Sequence, residues 1–290
     1  MAQTIGNPLS WGARAVQKAG HEVGEAVNAM RGGRTRPRVQ RITAADLRAA
    51  LRDGADDFKA MRSDVITLVV VYPAIGALLA ILAFSADVVH LVFPLAAGFV
   101  LLGPMAGIGL YEMSRRREAD EPVGISSIFA ALRPGVIGPV AGLGIVLVTI
   151  FIAWLLVAQT IYVWTLGPAG PMGLGEFYRA VIGTPEGWTM IVAGLGFGFL
   201  FAAAVLALFI VSFPMMIDRQ VSVAVALATS LEVTRKNTGA VALWGVIVAA
   251  LMVAGSIPFL IGLVVVLPIL GHASWHLYRR AVVHVEDTER

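Results

Sequence analysis

The sequence predicts an all-α membrane protein with six transmembrane helices, arranged as three hairpins that are each preceded by a cytoplasmic amphipathic helix. Three observations predict it. Hydrophobic residues make up 58% of the 290-residue chain against 14% charged, more apolar side chain than a soluble domain of this length can bury. Charge-free stretches long enough to cross a bilayer recur along the chain. Lys and Arg crowd the two ends and alternate loops.

The last apolar run sets the count. Residues 237–278 carry no Asp, Glu, Lys or Arg, and as one straight helix they would reach roughly 63 Å, about twice the hydrocarbon core of a bilayer. Gly255, Ser256 and Pro258 interrupt the run, and residues of these types loosen or break helices. The spacing therefore predicts a hairpin of a fifth span over 240–255 and a sixth over 257–277.

Residues 1–40 form a basic tail of disordered composition, rich in Gly, Ala and Arg. Trp11, Ala15, Ala19, Val23, Ala26 and Met30 recur in it at near-helical spacing, the pattern of a weak surface helix on lipid. No apolar run of signal-peptide length occurs there, so no cleaved leader is expected. Over 41–64, Thr43 with Asp46 makes a capping-box-like start. Leu47, Leu51, Phe58 and Met61 then follow on one stripe among basic residues, which predicts a helix lying on the bilayer. The first span is 65–86, the second 88–111 after a tight turn, and the third 136–166, followed by a Pro/Gly loop at 167–175. Thr184 offers an N-cap with Pro185 at the first helical position, and the fourth span is 188–217. The polar-edged segments 125–133 and 222–237 precede the second and third hairpins, which hints at an old threefold repeat. Residues 279–290 are a short tail.

Orientation follows from basic residues. Residues 1–64 hold eleven, the loop after span two four, the loop after span four three, and the C-terminal tail three; the opposite side has Arg179 alone. The alternation requires an even number of spans and puts both termini in the cytoplasm of a bacterial inner membrane. The basic charge then matches anionic lipid headgroups rather than nucleic acid. Glu112, Arg115, Arg116, Arg117, Trp275, Arg279 and Arg280 are placed at that inner interface, with Glu112 and Asp218 as solvated ends paired to basic neighbours.

Candidate chemistry is sparse. The absence of cysteine excludes disulfides, thiolate metal sites and iron–sulfur clusters. No ionisable residue other than histidine sits at the middle of a span, which lowers the case for an ion-coupled transporter. His272 and His276 stand four apart, so on a helix both imidazoles face one side and could share a metal. Two ligands are not a site, and water or headgroups satisfy them equally well. Bis-histidine haem ligation is disfavoured because His90 lies at the opposite face. No cofactor and no catalytic residue is predicted, so the chain is read as not an enzyme. Gly103 and Gly107, Gly138 and Gly142, and Gly194 and Gly198 form small-xxx-small pairs and read as helix-packing faces. Prolines within the spans read as bends.

The segments RITAADLRAALRDGADDF, LVFPLAAGFVLLGPMAGIGLYEMSRRRE, VSFPMMIDRQVSVAVALATSLEVTRKN and GHASWHLYRR resemble a bacterial family of integral membrane proteins catalogued as domain of unknown function 2189, over about residues 41–280. The resemblance implies a multi-span inner-membrane protein and no established activity. Some relatives carry a cytochrome-oxidase-subunit label, which the separated histidines do not support. Spans four to six also resemble, faintly, the membrane domains attached to some glycerophosphodiester phosphodiesterases. On this reading the chain is a non-catalytic module packing against lipids, a membrane partner or a second copy of itself. The alternative is a channel or carrier for a small neutral or apolar solute, motivated by kinked spans and Gln159.

Overall fold

A computed structural model describes residues 37–69, 81, 89–124, 126–127, 131, 133, 135–167, 173–219, 221–257 and 261–283. The basic tail with its Trp11-to-Met30 stripe, nearly all of the first span and its turn, most of the 125–133 segment and the end of the C-terminal tail lie outside them.

The chain enters through a two-residue strand β1 (Arg38–Val39) and helix α1 (Ala44–Val69). The capping box forms as the residue types require: the Thr43 backbone N–H donates to Asp46 at 2.8 Å, and the Asp46 N–H to Thr43 Oγ1 at 3.4 Å. Helical geometry breaks at Met61 (φ −120°, ψ 16°), which separates the surface segment from the helical residues 62–69 that lead towards the expected first span. The buried stripe is Leu47, Ala50, Gly54, Asp57 and Met61, spaced three and four apart as one helix face demands. This corrects the expected stripe. Leu51 and Phe58 are only flanking, a carboxylate stands on the buried line, and the cover is protein rather than lipid.

That cover is the last helix, α11 (Leu263–Ala281). Between α1 and α11 come a 3-10 turn (Val89–Leu91), α2 (Val92–Leu101), α3 (Gly103–Ala106), α4 (Ile108–Glu118), α5 (Ile137–Thr165), α6 (Leu174–Gly183), α7 (Pro185–Phe209), α8 (Ser212–Asp218), α9 (Val223–Lys236) and α10 (Thr238–Ser256). Helices α1 and α11 run antiparallel and meet at Gly54, where a Cβ would stand 2.5 Å from the Ala273 backbone nitrogen. Beyond α11, strand β2 (Val282–Val283) pairs antiparallel with β1, with Arg38 opposite Val283 and Val39 opposite Val282. The α9–α10 corner braces this pairing. Asn237 accepts from the Ile42 N–H at 2.8 Å and donates to the Gln40 carbonyl at 3.0 Å, while Lys236 donates to the Val39 carbonyl at 2.7 Å. Asn237→Ala would leave those buried backbone groups unmatched and should cost about 2 kcal/mol in a detergent melting experiment.

Among the described residues, three helical stretches are long and apolar enough to cross a membrane: α5, the α7–α8 pair over Pro185–Asp218, and α10. The expected third span matches α5 to within one residue at each end. Thr184 caps α7, accepting from the Gly187 N–H at 3.0 Å with Pro185 next in line. The expected fourth span is broken near its end, where Val211 leaves helical geometry (φ −125°) ahead of Pro214. The nearby carbonyls are taken up by hydroxyls, as broken helices in lipid require. Ser230 Oγ donates to Ala207 O at 2.8 Å, and Ser212 Oγ lies 2.6 Å from Leu208 O and 3.0 Å from Ala226 O. Ser230→Ala should cost about 1 kcal/mol, read as a lowered Tm.

The second expected span is a series of short helices interrupted at Leu102 and Gly107, because Pro104 supplies no N–H to continue the ladder. The final run is broken: α10 ends at Ser256, and Gly262 lies so close that an added Cβ would stand 2.7 Å from the Gly255 carbonyl oxygen. Helix α11 starts at Leu263, later than expected, and continues through Ala281. Helix α6 fills part of what the sequence leaves as loop.

The packing glycines divide. Gly142 faces Val223, Gly198 faces Trp154, and Gly107 is filled by its own helix's Tyr111. Gly103, Gly138 and Gly194 have nothing within 4 Å among the described residues. Close approaches also fall at Gly54, Gly98, Gly187, Gly245, Gly255, Gly262 and Gly271. Helix periodicity alone cannot distinguish a glycine facing a neighbour from one facing outward.

Candidate functional site: a polar network joining α1, α4, α8 and α11

Two of these helices contribute side chains four residues apart to one end of the bundle: Ser114 and Glu118 from α4, and His272 and His276, and Trp275 and Arg279, from α11. Spacing of four stacks side chains on one face, so the polar face of α4 meets the polar face of α11, with Asp57 of α1 between them.

Asp57, 5% exposed, is the centre. Its Oδ2 accepts from Ser114 Oγ at 2.5 Å and from His276 Nε2 at 2.9 Å, and its Oδ1 accepts from Arg117 Nη1 at 2.6 Å. Ser114 also meets His272 Nδ1 at 2.8 Å. A carboxylate cannot donate, so the single hydroxyl hydrogen of Ser114 goes to Asp57 and the hydroxyl accepts from His272 Nδ1–H. The tautomer of His272 is thereby set, and its Nε2 is a buried lone pair with no hydrogen-bond partner among the described residues. This serine, histidine and aspartate are therefore wired opposite to a nucleophilic triad: the imidazole donates to the hydroxyl instead of taking its proton. Ser114 is also buried at 1% exposure.

Glu112 is fully buried. Arg115 grips it bidentately, Nε to Oε2 and Nη2 to Oε1, both at 2.8 Å, and Arg116 Nε adds a bond at 2.9 Å. The expected pairing with basic neighbours is present, but the solvation is not. Glu118 accepts from the Trp275 indole at 2.9 Å and from Arg279 at 3.0 Å. Trp275 is therefore a buried hydrogen-bonded side chain rather than a lipid anchor. Asp218 accepts from the Tyr278 hydroxyl at 2.7 Å and from Arg279 at 3.4 Å, and Arg280 pairs with Asp53.

Burial pushes the Asp57 and Glu112 carboxyls up, but their hydrogen bonds and neighbouring cations more than offset this, and both lie below their ordinary values of 3.8 and 4.5. For Glu112 the offset comes first from Arg115, whose own affinity for its proton rises in turn. A carboxylate depressed on folding contributes stability that is present above its unfolded value and lost as pH falls through its folded one. The part of the Tm in detergent that these two carboxylates supply should therefore be lost as pH falls below about 4. Asp57→Asn should lower the Tm at neutral pH and flatten that acid limb.

The sequence points to His272 and His276 as a pair on one face, and they are one. They converge on Ser114 and Asp57 rather than on each other, and among the described residues no group of three His, Asp or Glu side chains is arranged to hold a metal. Asp57, Ser114, Glu118 and Tyr278 were missed; the only signal was the spacing of four within α4 and α11. His90 stands apart, bonded to Gln159 at 2.7 Å and stacked on Tyr162 at 3.9 Å.

Apolar helices of spanning length with the charges collected and paired at one end define an all-helical integral membrane protein. Residues 92–218 match the model of a family described as predicted integral membrane protein, DUF2189, in accord with the motif resemblance. No curated protein and no solved structure matches the chain.

Proposed function

We propose that this is a six-span protein of a bacterial inner membrane with both termini cytoplasmic, acting as a non-catalytic module that packs lipids or a membrane partner against its apolar helices. The observation that carries this reading is a divided surface. Ile145, Leu156, Val192, Phe199, Val246 and Val253 of α5, α7 and α10 are each 64–72% exposed, while the charged groups at the α4–α11 end largely satisfy one another.

Two further features support it. The β1–β2 pairing sets the two ends of the helical region side by side, which an odd number of crossings would forbid. Arg48 and Arg52 lie on the exposed face of α1, where anionic headgroups would meet them. The expected result is that a reporter after Arg280 faces the cytoplasm and that extraction in mild detergent returns a recurrent lipid or protein. A monomer carrying neither would end the packing reading, and an outward-facing reporter would end the topology.

A further inference from the structure

We infer that α6 is an interfacial helix, lying in the headgroup layer of the leaflet opposite the polar network, with Tyr178 and Ile182 against the acyl boundary and Arg179 among lipid phosphates. The inference takes from the proposed function only the direction in which α5 and α7 cross; it does not need the packing role.

The helix is fixed rigidly to the end of the bundle. Its inner side carries Phe177, whose ring lies 6.3 Å from Tyr162, itself stacked on His90. Its C-terminal carbonyls are capped by the next helix: Thr184 Oγ1 donates to Ala180 O at 2.7 Å and the Trp188 indole donates to Ile182 O at 3.1 Å. The elbow is so tight that a Cβ at Gly187 would stand 2.2 Å from the Val181 carbonyl oxygen. Hence α6 cannot swing freely, and its outward side chains keep one bearing.

Those side chains are amphipathic in a way that matches a membrane surface. Tyr178 is 62% and Ile182 46% exposed, one turn apart on one strip of the helix. Glu176 and Arg179 stand on the neighbouring strip, also exposed. At the same end of the spans, Trp188, whose indole bonds Ile182 O, is 57% exposed and Trp164, at the end of α5, is 83% exposed. Exposed aromatics at the end of spanning helices occupy the headgroup level, and a helix with one apolar and one charged strip lies in that plane.

The chain has no cysteine, so single-cysteine variants report without background. Spin labels at Tyr178→Cys, Ile182→Cys, Glu176→Cys and, as a reference inside α5, Leu156→Cys would be read in vesicles of phosphatidylethanolamine and phosphatidylglycerol. The oxygen-to-nickel-chelate collision ratio should be several-fold higher at positions 178 and 182 than at 176, and highest at 156. A chelate-dominated signal at 178 and 182 with position 156 still in lipid overturns the inference. Exclusion of both reagents there overturns it too, because protein would then cover the strip. A water-accessible position 156 removes the span direction itself, a failure distinct from the other two.

Discussion

Replacing Glu112 with leucine should be among the most damaging single substitutions in this chain, lowering stability by about 3–5 kcal/mol. The reason is the partners left behind. Glu112 is fully buried, and two guanidinium groups converge on it through three bonds of 2.8–2.9 Å. Removing the carboxylate leaves Arg115 and Arg116 partly buried and facing each other's charge, with only the longer contacts to Glu121, at 3.3 Å and 4.0 Å, remaining of those described to a carboxylate. Glu112→Gln keeps the shape and loses the charge, so it should fall between wild type and Glu112→Leu. The check is the midpoint of thermal unfolding in detergent. Equal midpoints for wild type and the leucine variant would mean that the pair is not held together in the folded protein.

Gly54→Leu should be comparably severe, at about 3 kcal/mol, because overpacking a fixed helix contact forces backbone movement. The atoms that a Cβ would meet are the nitrogen and Cα of Ala273, at 2.5 and 2.8 Å, and no rotamer change moves them. Helices α1 and α11 must separate, which would pull Asp57 away from Ser114 and His276. A diagnostic follows from the geometry: Ala273→Gly removes only the Cβ at 2.8 Å and should not restore Gly54→Ala. Restoration would mean that side chains rather than backbones set the helix spacing. Protease sensitivity of α1 should rise with Gly54→Leu while α5 and α7 stay protected, since α1 would be detached without unfolding the apolar helices.

Local signals carried much of this. The cap at Thr43, the cap at Thr184 with Pro185, the limits of α5 and the helix end at Ser256 are consequences of residue type within a few positions, and they were legible. The face shared by His272 and His276 was legible for the same reason. What the face met was not. Asp57 reads as one more charge on a basic amphipathic helix until α11 is laid along it, and Ser114 reads as a helix-end residue until His272 stands beside it. Gly54, in no small-xxx-small pair considered, lies directly against the α11 backbone at Ala273, whereas Gly103, Gly138 and Gly194, picked on spacing, have nothing within 4 Å among the described residues.

By itself, the order of residues determined that this chain is membrane-integral, where α5 lies and α7 begins, and which end gathers most of the charges. Those properties depend on hydropathy and on hydrogen bonding within a turn or two. Tertiary structure decided that the buried stripe of α1 is covered by α11, that Glu112 and Trp275 are buried, and that one aspartate receives three donors from two other helices. These depend on contacts between residues up to about two hundred positions apart, such as Asp57 with His276, and no local pattern encodes which of several amphipathic faces will find another.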